Sequence, residues 1–180
     1  MGKVALQMFL TLDGVMEAPE KWEGPFWSDE LETYALEQVL AADALLLGRA
    51  TYELFASSWP SRSGDDFSDR MNSMPKFVVS KTLKAPEWNA TVIDGDIVEE
   101  VSKLKQQSGQ DLLIYASGEL VRPLIQHGLI DDLRFWIFPV VLGNGKRLFR
   151  EGATTTLELV DTKTFETGAV VLRYQPKPAS

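Results

Sequence analysis

The sequence predicts an α/β fold: a central mixed, mostly parallel sheet, flanked by helices on both faces, with an antiparallel hairpin near the carboxyl end. Short apolar runs alternate with helical patterns over most of the 180 residues, which is typical of parallel strands joined by crossover helices. Residues 157–165 and 169–174 predict two strands around a turn. A hydrophobic content of 44% and a charged content of 24% indicate an ordinary globular protein. We therefore expect a single domain over residues 1–180.

The amino-terminal part begins with a strand and a long aromatic loop. Residues 4–12 are apolar apart from Gln7 and Thr11, and the turn at 11–14 ends the predicted strand. The loop that follows is rich in aromatic residues, and loops of this length and composition tend to be lids or binding walls. Ser28 then caps a predicted helix, because its hydroxyl accepts a hydrogen bond from a first-turn amide.

The remaining elements follow from the same periodicities. The helix that opens at Gly118 ends near His127, where Gly128 supplies a left-handed C-cap. A short helix is also compatible with the polar stretch at 61–73. The other predicted elements are strands at 44–47, 76–80, 91–93, 111–115 and 132–141, a helix from 49 to about 58 and a helix at 97–107.

Three predicted strands end in residues that suit phosphate groups. After the strand at 44–47, Gly48 permits a close backbone approach, Arg49 can bind a phosphate with two N–H groups, and Thr51 adds a hydroxyl in the first turn of a helix. The strand at 111–115 also runs into small residues and a helix start, and the strand at 76–80 runs into hydroxyls and a lysine. Together they indicate a nucleotide across the carboxyl edge of the sheet, although each segment alone also fits an ordinary turn.

Composition excludes several classes of function. The formal net charge of −8 argues against a nucleic-acid partner, which requires a basic surface. The absence of cysteine excludes disulfides and thiol nucleophiles, and a lone histidine, His127, excludes a histidine-rich metal site. We expect no metal. The amino-terminal segment is too short and too polar for a membrane span and lacks a signal-peptide cleavage site, so we expect a cytoplasmic protein without a membrane partner.

Candidate catalytic residues are few. Asp13 stands at the end of the first strand, in front of the aromatic loop, and both a place in the site and a turn-forming role with Gly14 are compatible with that position. Trp22, Trp27 and Trp59 suit a wall for a flat heterocycle, and they suit core packing equally well. No GxSxG motif supports a hydrolytic triad.

The chain resembles the dihydrofolate reductase superfamily, and most closely the stand-alone relatives of the riboflavin-biosynthesis reductase domain, which in bifunctional proteins follows a deaminase. The resemblance extends from Val4 to Tyr174, and its fold is the dihydrofolate reductase-like version of the α/β class predicted above. The segments that carry it are TLDG at 11–14, LGRATYE at 47–53, VVSKTL at 78–83, IYASG at 114–118, LIDDLR at 129–134 and PVVLGNGK at 139–146.

The resemblance implies hydride transfer from NADPH. In that case the cofactor's phosphates are held by Gly48, Arg49, Ala50 and Thr51, with Arg49 reaching the adenosine 2′-phosphate. Ser80, Lys81 and Thr82 match the strand end near the adenosine, and Ala116, Ser117, Gly118, Glu119 and Leu120 match the turn beneath the pyrophosphate. The family's paired glycines are replaced here by Ala116-Ser117-Gly118.

The resemblance also implies a substrate side of the site. Asp13 matches a residue close to the substrate, and Trp59 lies toward the same cleft, so these two are the candidate catalytic residues. Glu32 is the nearest counterpart of the carboxylate that contacts the pterin in the folate enzymes. The position also suits an ordinary glutamate on the exposed face of a helix. Lys146 matches a residue of the family that binds a substrate phosphate. The position also suits an ordinary surface lysine.

The implied activity is that of a 5-amino-6-(5-phosphoribosylamino)uracil reductase-like or dihydrofolate reductase-like enzyme acting on a pterin-like, pyrimidine-like or carbonyl substrate. The alternative is a non-catalytic protein that binds a nucleotide or another ligand on the same fold. We expect a homodimer in either case, because the aromatic strand at 135–138 and the carboxyl-terminal hairpin offer more apolar surface than one sheet face requires.

Overall fold

The computed structural model describes residues 1–107, 109–115 and 118–178, and the strands in these ranges form one eight-stranded sheet. The spatial order is β4-β3-β2-β5-β1-β6-β8-β7. Strands β1 to β6 are all parallel to one another, whereas β8 is antiparallel to both β6 and β7. The strands are β1 Val4–Thr11, β2 Ala44–Gly48, β3 Lys76–Val79, β4 Ala90–Ile93, β5 Leu112–Tyr115, β6 Asp132–Phe138, β7 Leu157–Thr164 and β8 Val170–Pro176.

Five α-helices connect these strands in the described ranges. They are α1 Asp29–Leu40, α2 Arg49–Ser58, α3 Asp66–Ser73, α4 Ile97–Gln107 and α5 Gly118–Gln126. Single 3-10 turns occur at Pro19–Lys21, Gly24–Phe26 and Trp59–Ser61. No helix in the described part of the chain is long and apolar enough to cross a membrane.

The helices divide between the two faces of the sheet. Helices α4 and α5 pack on the face formed by the even-numbered residues of β1, such as Leu6 and Met8. Helices α1, α2 and α3 pack on the opposite face. Because parallel crossovers are right-handed, this division follows from the strand order: the chain moves outward from β1 through β2 and β3 to β4, then returns to place β5 between β1 and β2.

Local capping explains where helix α1 begins and where helix α5 ends. The Ser28 hydroxyl accepts a hydrogen bond of 3.3 Å from the Leu31 amide at the start of α1, as predicted. Beyond α5, Gly128 has a φ of 64°, and the Leu129 amide donates to the Leu124 carbonyl at 2.9 Å. The predicted C-cap is therefore confirmed.

Strand β6 is shorter than the sequence predicts. It ends at Phe138, not at residue 141, because Pro139 has no N–H group for the ladder. The Val140 amide instead donates to the Phe138 carbonyl at 2.8 Å, which turns the chain into the glycine-rich loop at 142–146.

Other parts of the same chain cover the aromatic side chains of strand β6. Phe135, Trp136 and Phe138 are 5%, 1% and 0% exposed, and α1 and the aromatic loop pack on the latter two. The apolar surface from which we expected a homodimer is thus not exposed at this strand. Exposed apolar side chains of the hairpin lie on the edge strand β7, at Leu159 and Val160. The homodimer stays a prediction.

Candidate functional site

The site lies where the chain changes direction across the sheet. Strands β2 and β5 are neighbours, with Leu47 beside Tyr115, and each strand runs on toward a helix start. Helix α2 begins on one face of the sheet and α5 on the other. A crevice therefore opens between two helix starts at the carboxyl ends of the strands, which is where open α/β sheets bind ligands.

Arg49 and Thr82 meet at the α2 side of this crevice. Gly48 is the N-cap of α2, with extended backbone and no side chain to occupy the helix start. The Arg49 guanidinium donates to the Thr82 hydroxyl, and its Nε donates to Glu53 Oε1 at 2.8 Å. The side chain of Arg49 is 46% exposed. The predicted phosphate ligands from two different strand ends are thus adjacent and accessible to a ligand.

Ser80 shapes the turn that holds Thr82 in place. The Ser80 hydroxyl accepts hydrogen bonds from the amides of Thr82 at 3.2 Å and Leu83 at 3.0 Å, and the residue is buried. Lys81 between them is exposed. Ser80 therefore holds the turn from its buried side, whereas Lys81 and Thr82 are exposed at the edge of the crevice.

At the start of α5, Gly118 lies directly against the end of the Met16 side chain. A Cβ atom at this position would lie 2.2 Å from Met16 Cε. Glu119 faces away and pairs with Arg122 at 2.8 Å and with Arg150, while Leu120 is buried in the core. The structure thus brings the backbone of Gly118 to the crevice, but not the side chains of Glu119 and Leu120. The predicted site residues Ala116 and Ser117 lie outside the described residues.

A cleft of about 1190 Å³ opens beside the crevice, on the face covered by α1, α2 and α3. Ala50 and Thr51 from α2 and Trp59 from the following turn line it, together with Trp27 from the aromatic loop. Trp27 stacks on the buried Trp136 at 6.2 Å between ring centroids, and Trp59 lies 5.3 Å from Phe67. Two supported indoles therefore line the cleft, whereas Trp22 is a buried core residue.

The floor of the cleft carries two polar side chains that the sequence analysis did not assign to the site. Gln7 and Tyr115 are register partners on β1 and β5, and both line the cleft. Gln7 Oε1 and the Tyr115 hydroxyl are buried and have no hydrogen-bond partner among the described residues. Burial raises the pKa of Tyr115, so its hydroxyl stays protonated. A glutamine within an otherwise apolar strand was the available signal for Gln7.

Carboxylates also line the cleft. They are Glu20, Glu23, Glu32 and Asp65. One oxygen of Glu23, Oε2, is buried without a partner in the described part of the chain. Burial, and then the nearby charge of Glu20, raise the pKa of Glu23. Glu32 thus lies where the resemblance implied, and Glu23 is a further acidic residue of the site.

Asp13 lies apart from the residues that line the cleft and fastens the glycine-rich loop to the end of β1. Its carboxylate accepts hydrogen bonds from the Thr11 hydroxyl at 2.6 Å and from the amides of Leu142 and Gly143 at 3.2 and 2.8 Å. The hydrogen bonds from Thr11 and Gly143 lower the pKa of Asp13 from 3.8 to about 2. These contacts hold a distant loop, whereas the predicted turn at 11–14 is closed by the Gly14 amide, which donates to the Thr11 carbonyl at 3.0 Å. A catalytic role for Asp13 stays a prediction. Lys146, on the same loop, is also not among the lining residues.

Comparison with known proteins gives one family and one fold. A family model of the RibD C-terminal domain matches residues 2–171. The uncharacterized protein YyaP of Bacillus subtilis (strain 168) is 31% identical over 177 residues, which cover 96% of this chain and 94% of YyaP.

Two solved structures confirm the predicted fold. A pyrimidine reductase-like protein from Corynebacterium diphtheriae aligns with a TM-score of 0.71 at 13% identity, covering 99% of this chain and 93% of that one. Dihydrofolate reductase from Enterococcus faecalis, in complex with NADP(H), aligns with a TM-score of 0.69 at 17% identity, covering 98% of each chain. The dihydrofolate reductase-like architecture is therefore shared despite low sequence identity.

Proposed function

The chain belongs to the RibD C-terminal domain family, and from this premise we propose that it is an NADPH-dependent reductase that transfers a hydride to a small heterocyclic or carbonyl substrate. One observation carries the proposal. Two helix starts on opposite faces of the sheet flank the ends of β2 and β5, next to a cleft of about 1190 Å³ with unpartnered polar groups on its floor. A dinucleotide needs such an arrangement, with anion-binding helix starts beside a pocket for its reactive ring.

The residues present fit NADPH. Arg49 and Thr82 offer a cation and a hydroxyl at an accessible edge, which suits the adenosine 2′-phosphate, and Lys81 adds a second cation nearby. Gly48 leaves the start of α2 free of a side-chain cap, and Gly118 has no side chain at the start of α5, which suits the pyrophosphate. We assign Ala116 and Ser117 to the same segment. When bound, NADPH supplies the hydride from its nicotinamide ring.

The chain's own residues orient the reactants. Trp27 and Trp59 form flat walls that restrict a planar ring to a few orientations. Gln7 and Tyr115 supply hydrogen bonds at the floor, where they lack partners among the described residues. We assign Asp13 to holding the loop at 142–146, since a carboxyl with a pKa of about 2 is ionised and a poor proton donor. The proton that completes the reduction then comes from water.

The first test is a titration with NADPH and NADH, followed by energy transfer from Trp27 and Trp59 to the reduced nicotinamide. We expect NADPH to bind more tightly than NADH. Arg49→Ala should weaken NADPH binding roughly tenfold or more, because a charge-assisted hydrogen bond to phosphate contributes about 1.5–3 kcal/mol, and should leave NADH binding nearly unchanged.

Lys103→Ala is the matched control. Lys103 is also exposed and also pairs with a glutamate of its own helix, Glu100, at 2.6 Å. It should bind NADPH like the wild type. Absence of NADPH and NADH binding in the wild-type protein would refute the proposed function and leave a reused fold that binds another ligand.

A further inference from the structure

We infer that the cleft selects a flat ring that bears nitrogen donors and is neutral or positively charged, and that it rejects anionic, phosphorylated substrates. This inference rests on the proposed function, since it concerns the substrate half of the same site. It narrows the substrate from any small heterocycle or carbonyl compound to an amino-substituted heterocycle without a phosphate group.

The charge of the lining residues is the first argument. Four carboxylates line the cleft, at Glu20, Glu23, Glu32 and Asp65, against a single guanidinium, Arg62, among the described lining residues. The Arg62 guanidinium carbon lies 4.7 Å from the centroid of the Trp59 ring. The resulting negative potential attracts cations and repels phosphates, and a cleft with low-dielectric walls strengthens that effect.

The hydrogen-bonding capacity of the cleft is the second argument. Gln7 is 1% exposed, and its unpartnered Oε1 is an acceptor that faces the cleft. The buried Glu23 Oε2 is a second acceptor without a partner in the described chain. Ligand N–H groups satisfy both atoms, whereas a phosphate or carboxylate group brings only acceptors to them. The unpartnered Tyr115 hydroxyl beside Gln7 can donate to a ring carbonyl or accept from a further ring N–H.

The position of the nearby cations is the third argument. Lys146 is the last residue of the glycine-rich loop and is the one that the family resemblance matched to a substrate-phosphate ligand; Arg147 follows it. The Lys146 amide donates to Glu17 at 3.3 Å, and Arg147 Nε donates to the Asp13 carbonyl at 2.9 Å. Neither residue lines the cleft. The described lining therefore offers a substrate phosphate no cation besides Arg62.

The test uses three planar isosteres that differ in charge: benzamidine (positive), benzamide (neutral) and benzoate (negative). Binding is measured at neutral pH by isothermal titration calorimetry, with the protein saturated with NADPH and without it. A carboxylate is the anionic probe because a phosphate would also bind at Arg49. We expect benzamidine to bind roughly tenfold or more tightly than benzoate, with benzamide between them.

Variants assign the preference to the cleft. Glu23→Gln should reduce the ratio of benzamidine to benzoate affinity severalfold, and Glu20→Gln, at an exposed position where folding is not at risk, should act in the same direction. Glu37→Gln removes the same charge from an exposed position of α1 that does not line the cleft, and should leave the ratio unchanged. Thermal unfolding followed by circular dichroism verifies that each variant is folded.

The inference is overturned if the three probes bind equally, if benzoate binds most tightly, if none of them binds, or if both glutamine variants keep the wild-type ratio. The NADPH titration of the same samples separates the two proposals. Normal NADPH binding without a charge preference refutes only this inference, whereas a charge preference without NADPH binding refutes the reductase and leaves the cation-selective cleft.

Discussion

At the residue scale, one position of the site has room for a side chain only if Met16 moves. Gly118 begins α5, and a Cβ atom there would lie 2.2 Å from Met16 Cε and 2.6 Å from Met16 Sδ. Met16 itself lines the cleft. A methyl group at position 118 therefore pushes a flexible side chain toward the space where we place the cofactor and substrate.

We expect Gly118→Ala to weaken NADPH binding by about tenfold or more, while lowering the free energy of unfolding by only about 1 kcal/mol, because the clashing atoms are at the mobile end of a methionine. Fluorescence titration and urea unfolding measure the two effects. Met16→Ala in the same chain should restore NADPH binding. If the double variant stays as weak as Gly118→Ala, steric pressure from Met16 is not the cause.

At the element scale, the glycine-rich loop is held by hydrogen bonds from its amides to two carboxylates, Asp13 and Glu17. The carboxylate of Asp13, just after the end of β1, accepts hydrogen bonds from the Leu142 and Gly143 amides. Gly145 lies so close to the segment that follows β1 that a Cβ atom at position 145 would be 2.8 Å from Val15 Cγ1. The loop is therefore fixed to the chain segment that leads into the aromatic wall of the cleft.

Asp13→Asn should loosen this loop, because an amide group is a weaker acceptor than a carboxylate and has one acceptor oxygen in place of two. We expect faster hydrogen exchange at the Leu142 and Gly143 amides, measured by NMR. Asp94→Asn, at an exposed position, is the control and should leave these rates unchanged.

The pH dependence provides a second measurement on the same variant. The pKa of Asp13 is lowered from 3.8 to about 2 in the folded protein, so its stabilising effect is complete above about pH 4 and is lost as the pH falls toward 2. The wild-type loop amides should lose protection in this range. Protection that persists at pH 2 would contradict the assignment.

At the scale of the whole molecule, a buried lysine that has no ion pair among the described residues makes stability depend on pH. Lys76 on β3 is 0% exposed, donates to the Asn72 carbonyl at 3.2 Å, and lies 3.9 Å from the centroid of the Trp88 ring. Burial lowers its pKa from 10.5 to about 8. The unfolded chain keeps the proton to higher pH than the folded chain does, so stability attributable to Lys76 rises between about pH 8 and 10.5.

Lys76→Met should therefore be more stable than the wild type at pH 7, by about 1–2 kcal/mol, since relief of the charge burial is partly offset by the lost contact with Trp88. The difference should shrink as the pH approaches 10. Urea unfolding at a series of pH values measures it. Parallel stability curves for the two proteins would show that Lys76 is not the group that titrates.

Local pattern was sufficient to predict most of the elements and the sheet edge at which Arg49 and Thr82 meet. The helix at 97–107, the C-cap at Gly128 and the helix start at Arg49 depend on periodicity and turn chemistry, which act over a few residues. The meeting of Arg49 with Thr82 followed because parallel strands bring their carboxyl ends to one edge of the sheet.

The tertiary structure decided which residues line the cleft and which only support the fold. Gln7 and Tyr115 become neighbours through the register of β1 and β5, and Glu23 is desolvated only once the aromatic loop has packed. Asp13 bonds to the loop at 142–146, far along the chain, and α1 and the aromatic loop cover the aromatic strand. These outcomes depend on contacts between distant segments, whereas sequence patterns report the preferences of near neighbours.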